Sequence, residues 1–228
     1  KNINTVRITF HPHPAFVLNK SSVSNFLTPL EVKLELLEKI NIDYVFIIEF
    51  DVQTAQIDHK SFVEKFFLPL NIKYVVAGFD NRYGHKGEGN VNTIKDDSNN
   101  QIEVVVIAEK TISGKKIGSA YVRELLKTGH VKNISSISGR NYSMDGFITH
   151  GIVRGKSIGL PTANVALKYP YFVPKKGVYV VKVTHDDKEY YGICNIGNNP
   201  TFNYNENCTI EVKILDFVQD IYGDYLRV

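Results

Sequence analysis

Apolar and polar positions follow two different rules along this chain. Up to about residue 129, β-branched and aromatic runs alternate with stretches whose apolar residues recur every three or four positions. TVRITF (5–10), the continuous apolar DYVFIIEF (43–50), KYVVAGF (73–79) and QIEVVVIAEK (101–110) are expected as strands, the central two buried. TPLEVKLELLEKI (28–40), SFVEKFFLPL (61–70) and SAYVRELLKTG (119–129) are expected as helices. The first opens with Thr28 as N-cap, Pro29 at the first helical position and Glu31 closing a capping box. The second pairs Ser61 with Glu64 in the same way, and the third stops at Gly129. Strands alternating with helices predict an α/β domain with a doubly wound parallel sheet. Such sheets bind ligands beyond the carboxyl ends of their strands, here the segments after Phe10, Phe50 and Gly78.

From about residue 143 the period shortens. DGFITHGIV, GVYVVKVTH, EYYGICNIG and TIEVKILDF are brief alternating runs separated by Gly, Pro and Asn, with no helical pattern between them. This predicts an all-β second domain, a small antiparallel β-barrel with ligand positions at its loop mouths. HVKNISSISGRNY (130–142) reads as the joint, so the expected domains are 1–141 and 142–228. KDDSNNQ (95–101) reads as a polar loop.

A length of 228 residues agrees with two modest domains rather than one. The net charge of +3, from 27 basic against 24 acidic residues, comes without any basic run interleaved with aromatics, so no nucleic-acid partner is expected. Cys194 and Cys208 have no CxxC spacing and form no framework, which fits a reducing compartment. No apolar run reaches about 18 residues, and the polar start KNINTVRITF has no signal-peptide pattern, so a cytoplasmic protein without a membrane partner is expected.

The chemistry-bearing stretch is GKSIGLPTANVAL (155–167). Gly155-Lys156-Ser157 has the ending of a P-loop, but Gly151 precedes Gly155 by four residues rather than five, and Pro161 forbids the helix that should follow. What remains is a turn built on Gly155 and Gly159, with Lys156 able to meet phosphate charge. The Thr162 hydroxyl is able to ligate Mg2+, and Asn164 offers a second oxygen. In ITFHPHP (8–14), His11 and His13 point the same way in an extended segment with no third ligand in sight, so no metal is expected there.

The order of motifs in the second half resembles the riboflavin kinase module. GKSIGLPTAN is followed by PKKGVYVVKV (174–183), GICNIGNNPTF (192–202) and TIEVKILDFVQDIYGDYLRV (209–228). The resemblance implies Thr162 and Asn164 at a magnesium and ATP-phosphate site together with Gly155, Lys156 and Gly159. It also implies Glu211 as the base for the ribityl hydroxyl. The first half resembles the FMN adenylyltransferase module of the same bifunctional bacterial family, through ITFHPHP and through GFDNRYG (78–84) against the family's GxDFRFG. Pro12, Pro14 and Tyr83 are implied to line a flavin site, with Asp80 and Arg82 shaping its loop. IGSAYVR (117–123), against the family's ISSTxIR, keeps Ser119 and Arg123 as phosphate ligands but has Gly118 and Ala120 where the family has hydroxyls. The family's GxFDGxHxGH signature is not in the 228 residues, so the first strand and helix of that fold, and a C-terminal helix after Val228, are expected to be missing. The resemblance implies riboflavin, FMN and ATP as small-molecule substrates and FAD as the final product. Two alternatives stay open, a protein with one active module and a non-catalytic flavin- or nucleotide-binding protein.

Overall fold

The structure is a computed structural model and describes residues 3–18, 25–149, 162–198 and 208–228. The chain folds as two compact units, one of residues 1–24 and 30–117, the other of 25–29 and 118–228.

The first unit carries the alternating strands and helices. β1 (Val6–His11) is followed by α1 (Pro14–Val17), α2 (Leu30–Lys39), β2 (Tyr44–Glu49), α3 (His59–Phe62) and β3 (Tyr74–Gly78). A hairpin of β4 (Arg82–Tyr83) and β5 (Gly89–Asn90), the short α4 (Ile94–Asp97) and β6 (Glu103–Ile107) come next. A second hairpin, β7 (Thr111–Ile112) with β8 (Lys115–Lys116), closes the unit. The expected parallel pairing is present, as two ladders. β1 runs beside β2 with Val6 opposite Tyr44, and β3 runs beside β6 with Tyr74 opposite Glu103. The expectation that the central strands are buried on both faces is corrected. Ile48 is buried at the end of its face, but Tyr44 and Phe46 on that face and Ile47 on the other are exposed, while in β3 Val75 packs on the core and Tyr74 and Val76 face away from it. That core gathers Ile48, Phe62, Val63, Phe67, Tyr83, Ile94 and Ile102, and Phe62 meets Phe66, Phe67 and Tyr83 with ring centroids 4.9–5.7 Å apart.

Three local expectations change. The capping box at Ser61 gives way to Asp58, whose carboxylate accepts the Ser61 N–H at 2.9 Å, so the helix starts three residues earlier. Beyond Phe62 the helix widens into a π-turn over Val63–Phe67, which brings Val63 and Phe67 into the core. The polar loop at 95–101 contains the last residues of α4, with Asp97 and Ser98 buried. The Thr28 hydroxyl accepts from Arg140 Nη2 at 3.1 Å.

In the second unit α5 (Ser119–Thr128) ends as expected at Gly129, whose φ of 82° suits a residue without Cβ. The joint at 130–142 is corrected, since it contains a further helix, α6 (Lys132–Ser138). Its serines and β-branched residues are weak helix formers, but Ile134 and Ile137, three apart, pack on Leu125 and Leu126, and packing decides. The remaining strands are β9 (Asp145–Thr149), β10 (Ala163–Leu167), β11 (Gly177–His185), β12 (Lys188–Asn198), β13 (Cys208–Ile214) and β14 (Tyr225–Arg227). They close into the expected antiparallel barrel, in the order β10-β13-β12-β11-β14-β9. Alternate residues fill it: Ile148, Val165, Val183, Cys194, Ile196, Ile210, Val212, Ile214 and Leu226 are buried. At the β9–β14 seam the buried Asp145 takes both arms of Arg227, Nε at 2.7 Å and Nη2 at 2.8 Å.

Candidate active sites

The barrel alternation places Glu211 on the face opposite the core, because Ile210 and Val212 on either side of it are buried. Register then decides its neighbours. Asn164 of β10 lies directly opposite Glu211 of β13, and Asn195 of β12 lies opposite Glu211 on its other side. Thr149 of β9 faces Asn164 in turn. Directly opposed residues of antiparallel strands bring their Cβ atoms to about 4.5–5.5 Å. A row of oxygen-bearing side chains, Thr149, Asn164, Glu211 and Asn195, therefore crosses four strands. Thr162, exposed, stands immediately before β10.

The structure thus brings together Asn164 and Glu211, which the sequence reading selected separately, and adds Asn195, which it did not select. The signal for Asn195 was available. In GICNIG the buried Cys194 and Ile196 fix the alternation, which leaves Asn195 on the same face as Glu211. Gly155, Lys156 and Gly159 lie outside the described residues, as does Pro161.

These donors are all oxygens, as a hard divalent cation requires. Among the described residues no group of three or more His, Cys, Asp and Glu side chains is arranged to hold a metal ion. A cation here would be held by the Thr162 hydroxyl and the Asn164 amide oxygen, with substrate phosphates completing its shell, and Glu211 across the ladder from Asn164 would keep its carboxylate for proton transfer. Oxygen donors of this kind fit Mg2+ used in that manner.

In the first unit the residues after the parallel strands form the second candidate site. Beyond β1, Pro12 is exposed and Pro14 is half-buried at the start of α1. His13 caps that turn, its Nδ1 accepting the Ala15 N–H at 3.2 Å. Beyond β2, Glu49, Asp51, Gln53, Thr54, Ile57 and Lys65 line an open cleft of about 280 Å3. Asp51 accepts the Thr54 N–H at 2.6 Å, which holds its carboxyl below the usual range. Beyond β3, Asp80 bonds to Lys116 of β8, whose ammonium also sits 4.7 Å over the Phe79 ring. That bond holds the Asp80 carboxyl low.

Tyr83 differs from expectation. Rather than lining an open site, it is only 8% exposed, with its ring among Phe62 and Phe67 and its hydroxyl on Asp97 and Thr93. An aromatic flanked by glycines in a turn looks accessible in sequence, but here the glycines let the turn press against α3. A Cβ at Gly84 would lie 2.6 Å from the His59 Cα.

Ser119 and Arg123 sit four residues apart on α5, hence on one face, with Ser119 exposed at the first turn. The Arg123 guanidinium donates to the Asn25 carbonyl at 3.0 Å and stacks 5.0 Å from the Phe172 ring centre.

Comparison with known proteins matches both halves. The model of the FAD synthetase family covers residues 1–121, and that of riboflavin kinase covers 138–228. The bifunctional riboflavin kinase/FMN adenylyltransferase of Bacillus subtilis is 36% identical over 231 residues, spanning 100% of this chain and 73% of its own length. The protein of the same name from Escherichia coli K12 is 29% identical over 232 residues, again 100% of this chain and 73% of its own. A solved structure titled as a macrolide-efflux protein from Streptococcus pneumoniae has a TM-score of 0.90 at 28% identity, covering 99% of this chain and 73% of that one. With both family models matched in order and 36% identity to the Bacillus protein across the whole of this chain, this chain belongs to the bifunctional riboflavin kinase/FMN adenylyltransferase family.

Proposed function

We infer that the chain works in FAD biosynthesis, phosphorylating riboflavin to FMN with ATP and adenylylating FMN to FAD. The observation that carries the reading is the cross-strand pair Asn164–Glu211 within the riboflavin kinase match. The kinase chemistry is assigned to residues 142–228 and the FMN adenylyltransferase part to 1–141, although α5 and α6 belong to the barrel's compact unit.

In the kinase step Glu211 takes the proton of the ribityl hydroxyl as that oxygen attacks the γ-phosphorus of ATP in line with the departing ADP. Asn164, directly across the ladder, fixes the phosphate side of the same row, and Thr162 offers its hydroxyl beside it. Mg2+ held by Thr162 and Asn164 would neutralise phosphate charge. Gly155, Lys156 and Gly159 complete the ATP contacts. No protein nucleophile is required, since positioning and electrostatic compensation supply the rate.

For FMN adenylylation, the flavin contacts fall to Pro12, Pro14 and Asp80 beyond β1 and β3, with Tyr83 supporting the loop from behind. Ser119 and Arg123 are the phosphate contacts. The FMN phosphate attacks the α-phosphorus of ATP and pyrophosphate leaves. The reactions use riboflavin, FMN and ATP as small molecules, and neither requires nucleic acid or a membrane. No helix among the described residues is long and apolar enough to cross one. The cytoplasm, where ATP and reducing conditions coexist, is the proposed compartment.

The test is a chromatographic time course with riboflavin, ATP and Mg2+. FMN should appear first and FAD after it. FMN without FAD would leave only the kinase assignment standing, and neither product would refute both.

A further inference from the structure

Asp97 is 5% exposed, and a carboxylate that far from water is stable only when its oxygens are bonded. It is bonded from two elements besides its own. His59 Nδ1, at the start of α3, lies 2.9 Å from Oδ1 and 2.8 Å from Oδ2, and the Tyr83 hydroxyl of β4 donates to Oδ2. The Thr93 hydroxyl extends the chain. It lies 2.8 Å from the Tyr83 oxygen and accepts the Asn90 N–H at 3.1 Å. Tyr83 and Asn90 belong to the two strands of the hairpin, so both strands are tied to one carboxylate. The hairpin turn is also pressed on the same histidine: a Cβ at Gly84 or Gly89 would approach His59 atoms to 2.6 or 2.7 Å. This hairpin is the continuation of the loop that begins at Gly78, and Asp80 is in its path. The resembled pattern GxDFRFG has Phe where Tyr83 stands, and Phe has no hydroxyl with which to reach Asp97.

We propose that Asp97 and His59 are positioning residues for the loop 78–90, which they hold through Tyr83 in the conformation that binds FMN. The proposal rests on the assignment of that loop to the flavin made above. The electrostatics agree. Hydrogen bonding to Asp97 raises the His59 imidazole above its ordinary 6.5, and the surrounding charges are all acidic: Asp97 from α4, Asp58 from the turn before α3 and Glu88 from the hairpin. Burial would push Asp97 up, yet the bonds from Tyr83 and His59 outweigh it and keep the carboxyl below its usual range. The charged pair therefore forms between the lowered carboxyl value and the raised imidazole value, and is lost as pH rises through the latter.

The experiment is hydrogen–deuterium exchange of peptides covering 80–91 in the chain, titrated with FMN. In the unsubstituted chain FMN should protect these peptides, and the concentration for half protection should rise as pH is taken above the imidazole's raised value. Asp97→Asn should raise that concentration roughly tenfold, the size of one charge-assisted hydrogen bond, and remove the pH dependence. Tyr83→Phe keeps the ring in the core and deletes only the hydroxyl, so it separates lost positioning from lost folding. It should shift half protection in the same direction. Unchanged half protection in Tyr83→Phe would overturn the proposal even if Asp97→Asn fails to fold. If FMN protects nothing in 80–91 of the unsubstituted chain, the flavin assignment itself is refuted, a result distinct from protection that ignores both substitutions.

Discussion

Replacing Asp145 by Asn should unlock the barrel at its β9–β14 seam. The substitution keeps the shape of the side chain, removes its charge and turns one acceptor into a donor that faces the Arg227 guanidinium. Asp145 is 1% exposed in its side chain, so the arginine's partner is removed in a dry setting. Breaking a buried pair from one side costs about 3–5 kcal/mol. The Arg227 side chain is 25% exposed, so water would recover part of that charge, and the expected loss is about 2–4 kcal/mol. For a unit of this size each kcal/mol moves the midpoint by several degrees, which makes the expected drop roughly 10–20 °C. Thermal unfolding of the second unit, followed by calorimetry at pH 7, reads it directly. Acid titration gives a second reading with a fixed sign. Burial raises the Asp145 carboxyl, but the bonds from Arg227 and Tyr225 prevail and hold it low. Its stabilisation is therefore complete above the ordinary carboxyl range and disappears as pH falls through the depressed value. The two proteins should converge in stability under acid conditions. A midpoint that falls by less than about 3 °C at pH 7, with the same acid sensitivity in both proteins, would refute the assignment of the seam to this pair.

Gly192→Ala should destabilise the barrel by about 1–3 kcal/mol, because the added Cβ would stand 2.6 Å from the Lys213 carbonyl oxygen on the neighbouring strand; chemical denaturation measures this, and an unchanged midpoint would contradict it. Phe62→Ala should cost the first unit about 3–5 kcal/mol, since its ring packs against Phe66, Phe67 and Tyr83; the drop should appear in the first unit's transition and leave the barrel's in place.

The regular elements were legible because their signals are local. Alternation in GVYVVKVTH and TIEVKILDF announced barrel strands, and Gly129 marked a helix end through its own φ. Ser61 was misread because Asp58, three residues earlier, is the better acceptor and no apolar periodicity marks that start. α6 was missed because its propensity is low and its burial comes from partners on α5. Asp97 looked like surface in a run of Lys, Asp, Ser and Asn. Its partners His59 and Tyr83 are distant in sequence, and nothing in the local pattern shows them. The same limit applied to the kinase row. Motif resemblance selected Asn164 and Glu211 one at a time, whereas the strand register shows that they face each other and places Asn195 beside them.

The most direct measurement of the central claim is product formation by Glu211→Gln. The amide preserves size and register but cannot take a proton from the ribityl hydroxyl, so the rate of FMN formation from riboflavin should fall about 10²–10⁴-fold. Conversion of supplied FMN to FAD, assigned to residues 1–141, should proceed at the unsubstituted rate. FMN formation that continues within a few-fold of the original would contradict Glu211 as the base, and loss of both conversions together would contradict the assignment of the two reactions to separate sets of residues.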